Sequence, residues 1–334
     1  MKDKRLKILI TGGAGFLGFN LSKRFLGNGS NVIICDNFSR AGSSQNMTEL
    51  KNSYPSLVSY EVDITDVPAI ITKEKPDLVY HFAAQVAVTT SVKDPEGDFR
   101  TNAEGTFLVS VAAHRIGVPV IYSSTNKVYG DNVNTVPIRE LPTRYDFDGE
   151  LKERGIHESF PVDAHHHTPY GCSKLVGDIY VREYGGVVNR FSCMYGKNQY
   201  GIIDQGWLSY FVRQKFLGKP VTIFGDGKQV RDALYADDVI DLLEKEGRHL
   251  VDASLPDIRG EVFSIGGGYK NTISLLELCD KLKIKPQFSD WRPSDQKVFY
   301  ADISKAKKIL GWEPKIGIDE GLKRLVEWTK KNLG

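Results

Sequence analysis

One short stretch constrains this chain more than any other. Thr11-Gly12-Gly13-Ala14-Gly15-Phe16-Leu17-Gly18 follows the apolar run Leu6–Ile10, and its glycines at 12, 15 and 18 have the spacing G-x-x-G-x-x-G. Leu17, Leu21 and Phe25 then recur at helical spacing until Gly27 and Gly29 end the helix. A strand that passes at once into a helix through glycines makes a tight turn, and a backbone without Cβ can lie beside a pyrophosphate. The helix packs closely on the strand, and its N-terminus offers N–H groups and a positive dipole end to the phosphates. Asp36 lies 18 residues beyond Gly18, at the end of the second apolar run. A carboxylate there accepts both hydroxyls of a ribose and repels a 2′-phosphate, which predicts NAD rather than NADP. Arg40 is the one nearby charge that opposes this preference.

The first half of the chain repeats that alternation. Candidate strands are Leu6–Ile10, Asn31–Asp36, Leu57–Val62, Leu78–Phe82 and Val118–Ser123, followed by Gly186–Phe191 and Glu261–Ile265. Continuous apolar strands separated by helical stretches predict a doubly wound α/β fold, a parallel sheet covered on both faces. From about residue 192 the chain is richer in loops, aromatics and arginine, with helices expected near 207–217, 237–247, 273–283 and 319–332. The division expected is residues 1–191 plus about 229–267 for dinucleotide binding, and about 192–228 plus 268–334 for a smaller, interwoven C-terminal substrate lobe. Composition narrows the partners. Lys plus Arg is 44 and Asp plus Glu is 42, so no basic excess points to nucleic acid. The four cysteines are scattered without a Cys-x-x-Cys pair and read as reduced thiols. No apolar run reaches secretory or membrane-spanning length, so a soluble cytoplasmic protein is expected.

Two further patterns carry chemistry. Tyr170-Gly171-Cys172-Ser173-Lys174 places a phenol and an ammonium at i and i+4, on one face of a helix. A phenol with its ordinary pKa of about 10 is a poor base at neutral pH; a neighbouring ammonium and a cationic nicotinamide favour the phenolate. Ser123-Ser124-Thr125 ends the fifth strand, and doubly wound sheets bind ligands outside the carboxyl ends of their strands. A hydroxyl there can hold a substrate hydroxyl for proton transfer. With His81-Phe82-Ala83-Ala84-Gln85, Asn102 with Gly105-Thr106, Arg231-Asp232 and Arg292, these motifs resemble the extended short-chain dehydrogenase/reductase family of nucleotide-sugar enzymes over essentially the whole chain.

That resemblance implies a Rossmann-type sheet, bound NAD and residue roles. Thr125, Tyr170 and Lys174 would be catalytic. Cofactor contacts would come from Gly12, Gly15, Phe16, Leu17, Asp36, Asn37, Asp63, Ile64, Phe82, Ala83, Ala84, Gln85, Asn102, Ser123, Tyr170 and Lys174. Substrate contacts would come from Gln85, Thr125, Cys193, Gln199, Arg231 and Arg292, the two arginines gripping a pyrophosphate. Dehydratases of this family resemble Thr-Asp-Glu at the hydroxyl strand; Asn126 and Lys127 stand here instead and cannot act as acid and carboxylate base. Carbon-4 epimerases resemble Arg-x-x-Asn beyond strand six, where this chain has Arg190-Phe191-Ser192-Cys193. The stretches at 84–91, 123–130, 167–174 and 204–207 are similar to the CDP-tyvelose (CDP-paratose) 2-epimerase branch. The resemblance therefore implies an epimerase that inverts carbon 2 of a nucleoside-diphosphate hexose by transient oxidation, acting as a homodimer or homotetramer. A UDP-glucose 4-epimerase-like enzyme is the alternative. A dinucleotide-sensing regulator is the non-enzymatic one, against which the intact Thr125, Tyr170 and Lys174 speak. No metal site is expected, because His165-His166-His167 are adjacent and cannot all converge on one ion. Tyr200 and Trp207 either stack on a ligand or pack in the core.

Overall fold

The computed structural model describes residues 5–292 and 294–332. The chain forms two compact units. The first comprises Met1–Ser124, Cys172–Asn189 and Ile240–Val262; the second comprises Thr125–Gly171, Arg190–Val239 and Phe263–Gly334. This differs from the expected division. Residues 125–171 and 229–239 go with the second unit, because the segments after the fifth strand pair and pack with later parts of the chain, as Tyr145 N–H does with the Lys228 carbonyl at 2.8 Å.

A seven-stranded parallel sheet organises the first unit. In chain order its strands are Lys7–Thr11, Asn31–Asp36, Val58–Glu61, Leu78–His81, Val120–Thr125, Val187–Phe191 and Val262–Ile265. In space they run seventh, sixth, fifth, fourth, first, second, third. The first strand pairs Leu9 with Ile33 on one side and with Val79 on the other. These three, with Val120, face Ile64, Val67, Ile71, Val109 and Ala113 in one buried cluster. Burial on both faces explains why these strands read as continuous apolar runs. The first and fifth strands each extend beyond the expected ends, to Thr11 and Thr125. Pairing of Thr11 with Cys35 and with His81 carries the first strand that far, although threonine itself marks no end.

The second unit is built on short strands. Val230–Tyr235 lies antiparallel to Thr272–Ser274 and parallel to Val298–Phe299 and Cys193–Tyr195. Helices Trp207–Phe216, Leu275–Leu282 and Ile318–Lys331 bury Phe211, Leu278 and Leu325 in one core with Tyr195 and Tyr235. Ser274 starts the middle helix through a capping box: its hydroxyl accepts from Glu277 N–H at 3.1 Å, and the Glu277 carboxylate accepts from Ser274 N–H at 3.0 Å. The expected helix near 237–247 spans Ala236–Val251. Among the described residues no helix is long and apolar enough to cross a membrane.

Candidate active site

The glycine turn in the first unit is shaped for close approach. Gly12 has φ +65°, and a Cβ there would meet Ala83 N at 2.7 Å. A Cβ on Gly18 would run into the Gly12 carbonyl. Helix Phe16–Gly27 follows with Gly15 as its N-cap and no side-chain cap, so its first N–H groups, including those of Phe16 and Leu17, face no side-chain acceptor. The Leu17 side chain is buried, which leaves its backbone as the part a ligand meets. Asp36 is buried at the end of the second strand, where its carboxylate accepts from Ala14 N–H at 3.0 Å and Phe38 N–H at 2.8 Å. Burial raises its pKa and these N–H groups hold it down. The carboxylate is thus fixed against the glycine turn. Asn37 is exposed and accepts from Ser39 N–H at 3.1 Å. Asp63 accepts from Thr65 N–H at 3.2 Å and caps a short helical turn; Ile64 after it is buried, and a Cβ on Gly105 would stand 2.7 Å from its side chain. These features fit a dinucleotide: a cradle that any Cβ would fill, uncapped helix N–H groups and a buried acid hydrogen-bonded to the glycine turn.

The turn after the fourth strand is held by buried polar groups. Thr11 Oγ1 accepts from Phe82 N–H and Ala83 N–H, both at 3.1 Å, and lies 2.6 Å from His81 Nδ1. With both lone pairs of the hydroxyl used, its proton goes to Nδ1. That assigns the His81 proton to Nε2, which donates to Thr106 Oγ1 at 2.9 Å. Burial, then the nearby Lys174, pushes the His81 pKa down to about 3, so the ring stays neutral. Gln85 was expected to touch cofactor or substrate. Its amide is engaged within the protein, donating to the Ala87 carbonyl at 2.9 Å and to Asp98 Oδ1 at 2.8 Å, and accepting from Ala87 N–H. Asn102, in a π-helical turn over Arg100–Glu104, accepts from Gln85 N–H at 2.9 Å and donates to the Gln85 carbonyl at 2.9 Å. Its contribution is to shape the 82–87 turn.

Helix Pro169–Glu183 carries Tyr170 and Lys174 one turn apart, Tyr170 counted with the second unit and Lys174 with the first. Lys174 is buried. Its ammonium donates to the Ser123 carbonyl at 2.6 Å and stands 4.1 Å from the centre of the Tyr122 ring. Ser123 therefore contributes its backbone. Burial pushes the Lys174 pKa down to about 7, while the charges of Asp98 and Asp178 pull it upward.

In the second unit Thr125 and Tyr170 are both buried. Thr125 Oγ1 accepts from Lys127 N–H at 3.2 Å and donates to Asn126 Oδ1 at 3.3 Å. Asn126 in turn donates to Gln296 Oε1 at 2.9 Å. Gly171 is tightly seated: a Cβ there would meet the Lys127 carbonyl at 2.6 Å, so the helix start fits against the loop after Thr125. His167 Nε2 lies 2.9 Å from the Val128 carbonyl, bracing the same loop. Arg231 donates to Asp295 Oδ1 at 2.8 Å, and Arg292 donates to Asp204 Oδ1 and the Ile203 carbonyl, both at 3.0 Å, its guanidinium 4.0 Å from the Phe224 ring centre. Arg292 Nε is buried without a partner among the described residues, a donor that an anion would satisfy. Gln199, expected at the substrate, donates to the Met194 carbonyl at 3.1 Å and accepts from Ser209, bracing its own loop. Cys193 accepts from Trp207 Nε1–H at 2.9 Å, and burial pushes its thiol up to about 12, far from a reactive thiolate. Trp207 and Tyr200 pack in the protein, Tyr200 edge-on to Trp328 with ring centres 5.7 Å apart.

Sequence reasoning passed over Asp98, which is buried and accepts from Ser173 Oγ at 2.5 Å, Gln85 Nε2 at 2.8 Å and Asn102 Nδ2 at 2.9 Å. The available signal was its i,i+4 spacing to Asn102.

A glycine cradle closed by an acid, with a buried lysine on a Tyr-x-x-x-Lys helix, defines a short-chain dehydrogenase/reductase. A family model described as the NAD dependent epimerase/dehydratase family matches residues 8–266, and the chain belongs to that family. It is 41% identical to the CDP-paratose 2-epimerase of Salmonella typhi, over 97% of this chain and 99% of the relative. Identity to the UDP-glucose 4-epimerase of Mycolicibacterium smegmatis is 28%, over 97% and 99% of the two chains. Among solved structures, UDP-glucose 4-epimerase from Thermotoga maritima with UDP-glucose superimposes with TM-score 0.80 at 31% identity, covering 98% of this chain and 100% of that one. UDP-glucuronic acid 4-epimerase from Bacillus cereus, in complex with UDP-glucuronic acid and NAD, gives TM-score 0.79 at 28% identity, covering 98% and 99%.

Proposed function

We propose that this chain inverts carbon 2 of a nucleoside-diphosphate hexose, CDP-paratose or CDP-tyvelose, using tightly held NAD. The observation that carries the choice of carbon is the 41% identity to a CDP-paratose 2-epimerase over nearly both full lengths, against 28% to a UDP-glucose 4-epimerase. Asn126 and Lys127 stand where a dehydratase needs its carboxyl pair, which favours an epimerase over a dehydratase.

The glycine cradle and Asp36 hold the dinucleotide, and Arg231 and Arg292 grip the substrate pyrophosphate through donors their carboxylate partners leave open. Tyr170 takes the proton from the carbon-2 hydroxyl while Thr125 holds that oxygen. The Lys174 ammonium favours the Tyr170 phenolate. Bound NAD supplies a reversible hydride acceptor. Once the keto sugar has turned over in the pocket, the hydride would be restored to the opposite face of carbon 2 while Tyr170 returns the proton to the same oxygen. Because the cofactor is regenerated, it is resident rather than consumed.

A substrate deuterated at carbon 2 tests the reading. The label should stay on carbon 2 through inversion, followed by proton NMR. Inversion at carbon 4 would point to the 4-epimerase alternative, and loss of the label to solvent to a deprotonation mechanism.

The reading includes a cytoplasmic homodimer. Val92, Phe99, Ile179 and Tyr180 of the first unit are large apolar side chains 56%, 55%, 56% and 39% exposed, and the Phe107 ring stands 4.8 Å from that of Tyr180. Sedimentation velocity of Ile179→Lys should show monomer where the unmodified chain shows dimer; an unmodified monomer would remove the proposal.

A further inference from the structure

Asp98 belongs to helix Pro95–Phe99 and is almost fully buried, yet nothing in the proton path above uses it. Its two oxygens receive three donors from three parts of the first unit. Ser173 lies on the helix of Tyr170 and Lys174, Gln85 on the turn after the fourth strand, and Asn102 on the π-helical turn. A buried charge survives only when it is hydrogen-bonded and opposed by another charge. Three donors meet the first need. The groups facing Lys174 show what meets the second. Its own helix brings Asp178, which is 4.0 Å from Arg182 and so shares its charge. The fourth strand brings His81, which is neutral. The fifth strand brings the Tyr122 ring and the Ser123 carbonyl. Asp98, hydrogen-bonded to Ser173 next to Lys174, is then the carboxylate with no cation of its own among the described residues, and its charge acts on the buried ammonium more strongly than that of Asp178.

We infer that Asp98 is a positioning residue of the active site: it ties the Tyr170–Lys174 helix to the 82–87 turn and is the counter-charge of the Lys174 ammonium. This rests on the role proposed for Lys174. Two things follow from one carboxylate. The ammonium stays charged in a dry site, and the helix that carries it is held in register with the turn on the cofactor side.

Asp98→Asn is the direct test, because an asparagine can keep all three hydrogen bonds by turning its amide toward Ser173 Oγ, so charge is lost and shape is kept. The readout is the titration of Lys174 in the NAD-loaded enzyme, followed by the 13Cε signal of biosynthetically labelled lysine and assigned by its loss in Lys174→Arg. Removing the counter-charge should lower the Lys174 midpoint by about one pH unit or more, and kcat at pH 8 should fall at least about tenfold with it. KM should change by less than about threefold, because the substrate grip is elsewhere. Ser173→Ala keeps the charge and removes the tether: the Lys174 midpoint should stay in place while kcat falls about threefold or more. An unmoved midpoint in Asp98→Asn overturns the counter-charge, and unchanged kcat in Ser173→Ala overturns the tether. The lysine titration is read whether or not Tyr170 is the base, so failure of the proton path and failure of this proposal are told apart by Tyr170→Phe.

Discussion

Glu246 gives the sharpest prediction about stability. It sits on helix Ala236–Val251, fully buried, and its Oε2 accepts from Asn189 Nδ2 at 2.8 Å. Its Oε1 and the Asn189 Oδ1 are both buried acceptors without a partner among the described residues. One proton on Glu246 Oε1 would let it donate to Asn189 Oδ1 and complete an acid–amide pair. Burial pushes the Glu246 pKa up to about 8, with the Asn189 hydrogen bond opposing, which agrees with a protonated group at neutral pH. A carboxyl raised from about 4.3 in the unfolded chain contributes stability that is complete below pH 4.3 and is lost as pH rises toward the folded value. At pH 7 the gap is about 2.7 units, and at 1.36 kcal/mol per unit the loss is about 3–4 kcal/mol relative to pH 4.3. Above pH 8 the loss levels off near about 5 kcal/mol. Glu246→Gln replaces the acid by an amide that makes both hydrogen bonds at every pH. Guanidinium denaturation of the NAD-loaded protein at pH 5, 7 and 8.5 should show the unmodified chain losing stability relative to Glu246→Gln by about 3 kcal/mol or more across the series. Parallel pH dependences, or a Glu246→Gln chain less stable than the parent at pH 8.5, would refute the protonated pair.

Two further outcomes bear on the site. Tyr170→Phe removes the proton acceptor and keeps the ring, so turnover should fall at least about 100-fold while NAD content of the purified protein is retained; turnover near the parental rate would remove Tyr170 from the proton path. Gly12→Ala places a Cβ 2.7 Å from Ala83 N at φ +65°, so the cradle must open and the purified protein should carry less NAD on acid extraction. Full NAD content in that variant would mean the turn yields without harm to the site.

Much of the first unit is legible in the chain because its signals are local. Asn31–Asp36 is bounded as its apolar run predicts, and the helix after the glycine turn starts and stops at glycines. The second unit's sheets are not legible. Strands of two or three residues such as Val298–Phe299 are too short to show a period, and Val230–Tyr235 interrupts its apolar pattern with Arg231 and Asp232. Asp232 is tolerated there only because Ser192 and the backbone N–H groups of Gly268 and Ala301 surround its carboxylate. The boundary between the units is equally hidden, since each unit is assembled from three separate stretches of chain.

Residue types at fixed spacing determined the cofactor cradle, the Tyr-x-x-x-Lys helix and the family, because each is set by neighbours within a few turns of chain. Side-chain engagement was decided only by the fold. Gln85 and Gln199 read as ligand-contacting residues, and the fold shows their amides hydrogen-bonded within the protein; Asp98 read as nothing yet meets Ser173, 75 residues away. The physical reason is that a buried polar group must find its partners wherever the packed chain supplies them, and residue type and spacing carry no record of which contact it makes.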